Sequence, residues 1–316
     1  MITLSGILQA IGNTPIVELR RIRPRRGARV MVKLEFANPT GSMKDRVALA
    51  MVSAAAADGR LAPGGRVVEY TGGSTGVSLA FVCAAGGYGC TLVSSDAFSQ
   101  EKLTTMAALG AEVVIVPSDH KRITADLIRE LIATAQRLAT QPDTYWTDQL
   151  NNRDGAAGYH PLGEEIWQQT EGRVAAFVQS VGTAHSLHGT ADVLRQHRPD
   201  VRIVAVEPAE SAVLSGGPSG SHFIEGIGLG FVVPLWHPEQ VDEIVPVSSE
   251  EAMVMGRRLA VEEGIFAGTS TGANVIAALK VAEGLPEDEV VVTLAVDSGV
   301  KYLSTELYSK PGLADP

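Results

Sequence analysis

Arg66-Val67-Val68-Glu69-Tyr70-Thr71-Gly72-Gly73-Ser74-Thr75-Gly76 sets a short β-branched run against a turn of glycines and hydroxyl residues, and an Ala-rich stretch over 75–85 follows at once. β-Branched side chains suit a pleated strand, glycine permits a tight turn, and a serine or threonine there can cap the next helix. The stretch reads as strand, turn and helix. The same unit recurs outward in both directions. Strands are predicted at 30–35, 66–70, 90–94, 112–116, 175–180, 202–208 and 290–295, and helices at 44–58, 75–85, 100–109, 123–138, 186–197, 250–263 and 272–281. Apolar strands alternating with helices imply an α/β fold with mainly parallel sheets flanked by helices.

A chain of 316 residues exceeds the size at which one hydrophobic core usually keeps growing, so two lobes are expected. With 26 basic against 36 acidic residues, the net charge of −10 disfavours a nucleic-acid partner, which needs clustered Lys and Arg on the phosphates. The one basic run, Arg20, Arg21, Arg23, Arg25, Arg26 and Arg29, reads as a solvated loop. Residues 1–6 lack the form of a secretory signal, and no apolar run is long enough to span a bilayer. Cys83 and Cys90 are too few for a disulfide framework; they read as buried, inert thiols in a reducing cytoplasm.

Three glycine-rich turns open helices: 70–76, 180–186 and 267–272. Each is compatible with plain capping, but ligands of open α/β sheets bind at strand carboxyl ends, where helix N-termini offer unpaired amides. Three together favour a phosphate and a carboxylate ligand. A fourth segment, Asn38-Pro39-Thr40-Gly41-Ser42-Met43-Lys44-Asp45-Arg46, places a lysine at a helix start, where the dipole disfavours a cation. An amine so placed is either an ordinary surface group or one suited to Schiff-base chemistry.

The lysine segment resembles the cofactor-lysine motif of the cysteine synthase and cystathionine β-synthase family, the fold-type II pyridoxal-phosphate enzymes. The resemblance runs from Ile11-Gly12-Asn13-Thr14-Pro15-Ile16 to the segment 297–305. It implies two lobes with the cofactor in the cleft between them. Residues 1–147 hold a smaller mobile lobe (about 45–147), and 148–316 form a larger cofactor-binding domain completed by the N-terminal segment. By the same resemblance Lys44 binds pyridoxal 5'-phosphate as the internal aldimine and later serves as a general base. Ser298 faces the pyridine nitrogen and leaves it unprotonated, which makes the ring a milder electron sink. The implied reaction is β-replacement on an activated L-serine, such as O-acetylserine, by sulfide or another thiol through an aminoacrylate.

Two binding turns depart from the family pattern. The substrate-carboxylate loop, usually Thr-Ser-Gly-Asn-Thr-Gly, is Thr71-Gly72-Gly73-Ser74-Thr75-Gly76. Thr71, Gly72, Gly73 and Thr75 carry over as substrate contacts, and Ser74 takes the place of the asparagine that meets the cofactor's 3′-oxygen. The phosphate loop, usually Gly-Thr-Gly-Gly-Thr, is Gly182-Thr183-Ala184-His185-Ser186. These five are the expected phosphate contacts, with the His185 ring pointing outward and its amide used. His188 reads as a surface or packing residue, and no metal site is expected. Gln149 and Asn152 match the family's Gln-Phe-Glu-Asn segment, where the glutamine helps bind the substrate carboxylate. Gly226 matches a loop glycine that approaches the active site, and the 266–272 turn is expected to be structural. The expected partners are a homodimer mate and, as in some relatives, the C-terminal tail of a serine acetyltransferase. β-Elimination of the cysteine desulfhydrase or serine dehydratase type, and a catalytically weak cofactor-binding partner protein, remain the alternatives.

Overall fold

Every apolar run read as a strand is one in the computed structural model, which describes residues 6–24, 26–120 and 124–309. Arg25 of the basic run, Ile123 at the start of one expected helix and residues 1–5 lie outside the described residues. In chain order the elements are β1 (Ile16–Glu18), β2 (Arg29–Lys33), α1 (Lys44–Asp58), β3 (Arg66–Tyr70), α2 (Ser74–Gly86), β4 (Gly89–Ser95), α3 (Gln100–Ala108), β5 (Glu112–Val116) and α4 (Ala125–Ala139). They continue with β6 (Thr144–Trp146), α5 (Asp154–Ala157), α6 (His160–Gln169), β7 (Val174–Ser180), α7 (His185–His197), β8 (Arg202–Pro208), β9 (Glu243–Val247), α8 (Ser249–Arg258), α9 (Thr269–Ala282) and β10 (Val290–Leu294).

The chain divides into two units. The first takes the residues up to Ile11 and Asn38–Gly158; the second takes Gly12–Ala37 and the chain from Tyr159 onward. The first unit extends past residue 147 because α5 packs on α1, and Asn152 donates to the Thr147 carbonyl at 2.8 Å, holding the turn after β6. Its sheet runs β5-β4-β3-β6, all parallel, with α1 packed beside α2. Cys83 and Cys90 are buried there; their mutual hydrogen bond and then burial push the Cys83 thiol well above its ordinary value, as inert thiols require.

The second unit holds the sheet β1-β2-β10-β7-β8-β9, parallel except for the β1 and β2 pair. Every residue of β7 and of β10 is buried, which is why these strands read as continuous apolar runs. Ala273, Ala277 and Ala278 let α9 approach Val30, Val178, Val204 and Val291, and each valine so buried is worth roughly 2 kcal/mol. The basic loop is fastened by Glu263, whose carboxylate accepts the Arg20, Arg21 and Ile22 amides at 2.6 to 3.2 Å.

Five elements escaped the sequence pattern: β1, β6, β9, α5 and α6. β1 and β6 are too short for a period, and β9 contains Pro246, which is tolerated because the strand lies at the sheet edge. The helix expected at 250–263 is α-helical only to Arg258; Leu259–Glu263 widens into a π turn that Gly264 closes at φ 71°.

Candidate active site

In the first unit, Lys44 is the first residue of α1. Gly41 turns the preceding chain at φ 72°, and Ser42 Oγ accepts the Lys44 amide at 3.2 Å. The neighbouring Asp45 is buried, and its carboxylate accepts the Thr40 amide at 2.8 Å, the Thr40 hydroxyl at 2.5 Å and the Ser78 hydroxyl at 2.6 Å. Ser78 belongs to α2, so one carboxylate ties the Lys44 turn to the helix that the 71–76 loop opens. An acidic group in the first turn also offsets the positive helix end.

The loop after β3 is wound around Thr71. Its Oγ accepts the Gly73 and Gly76 amides at 3.0 Å each, and its carbonyl accepts the Ser94 hydroxyl at 2.8 Å. Gly73 has φ 155° and ψ −98°, a conformation open to glycine alone, and a Cβ there would lie 2.5 Å from Lys102 Cδ. A Cβ on Gly72 would lie 2.8 Å from the Phe98 ring, so an aromatic side chain stands where the family's serine would go. Ser74 begins α2, half-buried, with Thr75 buried behind it. Gln149 closes the group: its amide nitrogen side chain donates to the Tyr70 carbonyl at 2.9 Å, at the mouth of the same loop. Lys44's helix, the 71–76 loop and Gln149 are thus brought together. Asn152 serves the turn instead, donating to Thr147 O and to the Tyr145 hydroxyl.

In the second unit, the loop after β7 enters α7 through Ala184, whose φ of 71° is left-handed without being glycine. Gly182 backs onto Gly226, since a Cβ on it would stand 2.5 Å from the Gly226 carbonyl oxygen. The Gly228 amide donates to Val181 O at 3.3 Å, so the 226–228 loop and the 182–186 loop form one wall. The expectation of an outward His185 ring is corrected: His185 is 3% exposed, with Nδ1 2.8 Å from Thr183 Oγ. The tight turn at Ala184 folds the first helical side chain back over the loop. Ser186 Oγ accepts Gln179 Nε2 at 3.3 Å. His188 is a buried packing residue against Trp236 and His237; burial first, then the His237 charge, hold its pKa down at about 4, and its Nε2 accepts the His237 amide.

Ser298 is half-buried and is held in place by the 266–272 turn, as expected of a structural turn. It bridges Ala267, while the Gly268 amide donates to Asp297 O and the Gly299 amide to Phe266 O. Its own Oγ accepts the Val300 amide at 3.3 Å. Thr269 Oγ accepts the Glu225 amide at 3.2 Å, which links this turn to the Gly226 loop.

Residues that sequence reasoning passed over hold these loops. Asn274 Oδ1 accepts the Ser180 amide at 2.8 Å, and Nδ2 donates to Gln179 Oε1 and Leu294 O, fixing the ends of β7 and β10 together. Ser180 Oγ, immediately before the loop, is buried with no hydrogen-bond partner among the described residues. A phosphate fits this cradle: amides at the start of a long helix, the Thr183 and Ser186 hydroxyls, and the unanswered Ser180 hydroxyl.

Three comparisons bear on this geometry. A family model described as pyridoxal-phosphate dependent enzyme matches residues 7–297. A cysteine synthase of Staphylococcus aureus is 41% identical over 309 residues, 97% of this chain and 97% of that one. Among solved structures, a cysteine synthase of Entamoeba histolytica has a TM-score of 0.88 at 37% identity, covering 97% of this chain and 92% of that chain. A hydrogen sulfide-producing enzyme of Fusobacterium nucleatum has a TM-score of 0.86 at 32% identity, covering 94% and 99%.

Proposed function

This chain belongs to the pyridoxal-phosphate dependent enzymes, and from that premise we propose that it replaces the β-substituent of an activated L-serine, O-acetylserine or a close analogue, with sulfide or another thiol. The observation that carries this reading is the 41% identity to a cysteine synthase across 97% of both chains.

When bound, the cofactor supplies an electron-withdrawing ring that stabilises charge at the substrate α-carbon. Lys44 Nζ, at the head of α1, would hold the cofactor through its aldehyde carbon. The same amine would serve as the general base that takes and returns the substrate α-proton. The Gly182, Thr183, Ala184, His185 and Ser186 loop would hold the phosphate through amides and hydroxyls at the start of α7. Ser298 would be the neutral partner of the pyridine nitrogen, and Ser74 would meet the 3′-oxygen. Thr71, Gly72, Gly73, Thr75 and Gln149 hold the substrate carboxylate at the start of α2, and the Gly226 backbone lines the substrate.

Reduction of the holoenzyme with borohydride followed by peptide mapping tests the Lys44 assignment: cofactor mass is expected on the Lys44 peptide, and its recovery on another lysine contradicts it. Function is tested by supplying O-acetylserine, O-phosphoserine and serine with several thiols. A β-substituted alanine is the expected product. β-Elimination is the second reading, and the likeness to a hydrogen sulfide-producing enzyme is compatible with it. Pyruvate and ammonia as sole products with every thiol would establish it in place of replacement. A homodimer, cytoplasmic residence and recognition of a serine acetyltransferase tail belong to the same proposal; mass in solution by sedimentation equilibrium, cell fractionation and titration with a tail peptide test them in turn.

A further inference from the structure

Glu69, in β3, is 0% exposed, and the proposed chemistry gives it no part. Four donors converge on its carboxylate. Oε1 accepts the Tyr70 amide at 2.9 Å and Trp146 Nε1 at 3.4 Å; Oε2 accepts the Thr147 hydroxyl at 2.6 Å and the Gln149 amide at 2.9 Å. Tyr70 leads straight into the 71–76 loop, and Tyr70 O is the acceptor for the Gln149 side chain. The donors come from two parallel strands and from the turn that carries Gln149, positions up to 80 apart in sequence.

A buried carboxylate is unfavourable unless several donors answer it. Its surroundings favour the acid: when ionised it accepts at both oxygens, whereas a glutamine always presents an NH2 to two groups that are themselves donors. We infer that Glu69 is a positioning residue, holding Gln149 and the 71–76 loop at the spacing at which the glutamine amide and the amides opening α2 converge on the carboxylate of the amino-acid substrate. The inference rests on the reading of Gln149 and that loop as carboxylate contacts.

The test uses holoenzyme of wild type, Glu69→Gln, Thr147→Val and Gln149→Ala. Equilibrium titration with O-acetylserine and with L-serine, followed by the cofactor's visible absorption, gives amino-acid affinity; steady-state rates give kcat and both KM values. With buried donors left unanswered, Glu69→Gln is expected to weaken amino-acid affinity about tenfold or more, with cofactor content, kcat and KM for sulfide nearly unchanged. Thr147→Val, which keeps the acid and removes one donor, is expected to move affinity the same way by about threefold, and it serves if Glu69→Gln does not fold. Glu69→Gln combined with Gln149→Ala is expected to be little worse than the poorer single variant. Normal affinity in Glu69→Gln, or in Thr147→Val where the former does not fold, overturns the inference, as does an equal loss in kcat and both KM values. If Gln149→Ala alone binds the amino acid normally, the underlying carboxylate reading fails instead.

Discussion

The loops at 71–76 and 181–186 are built to the same plan, a strand end, a tight turn and a helix start, yet they are held by different means. Around the first, side chains occupy the space beside the glycines: Phe98 at Gly72, Lys102 at Gly73 and the Thr71 methyl at Gly76. Around the second, it is backbone that crowds Gly182, through the Gly226 carbonyl, and the left-handed position is an alanine. Side chains can change rotamer, whereas a carbonyl moves only with its loop. On the proposed roles, the contrast suits a loop that tunes substrate choice and a cradle that keeps one phosphate.

Gly182→Ala strikes the backbone-held loop and is expected to have the largest effect. The Gly226 carbonyl must shift, and cofactor affinity is expected to fall at least about tenfold, measured by cofactor retained on dialysis. Gly72→Ser restores the family's serine in the side-chain-held loop and meets the Phe98 ring. A loss of about 1–3 kcal/mol in urea unfolding is expected, most of it recovered when Phe98→Ala is added. Failure of that rescue would show that the first loop is not side-chain-held. Ala184→Gly relieves roughly 1 kcal/mol of left-handed strain and returns about half to the entropy of the unfolded chain, so a gain of about 0.5 kcal/mol is expected in the same assay.

A separate effect is in pH dependence. Burial pushes Glu69 from its ordinary 4.5 up to about 7, against its four hydrogen bonds. An acid raised in the folded state binds more protons folded than unfolded between those values, so its contribution to stability is present below about 4.5 and is lost as pH rises through about 7. Glu69→Gln is expected to flatten that part of the stability profile relative to wild type, read as midpoint temperature against pH; an unchanged slope contradicts the shift.

The βα alternation and the three turns were legible because backbone needs are written locally, in glycines and β-branched runs. The role expected of Lys44 came from resemblance to a family motif, since the residues alone left an ordinary surface lysine equally open. Glu69 and Asn274 were not legible: each looks like an ordinary strand or helix residue until donors and acceptors up to 80 and 95 positions away are folded onto it. Nor could sequence place the His185 ring, whose direction follows from the turn at Ala184, or the division of the chain after Gly158, which follows the packing of α5 on α1.

The most direct measurement of the central claim is the amount of L-cysteine formed per O-acetylserine consumed by the holoenzyme in the presence of sulfide. A ratio close to one, with acetate released in step, is expected. Consumption of O-acetylserine accounted for wholly by pyruvate and ammonia, or no consumption by protein that holds its cofactor, contradicts it.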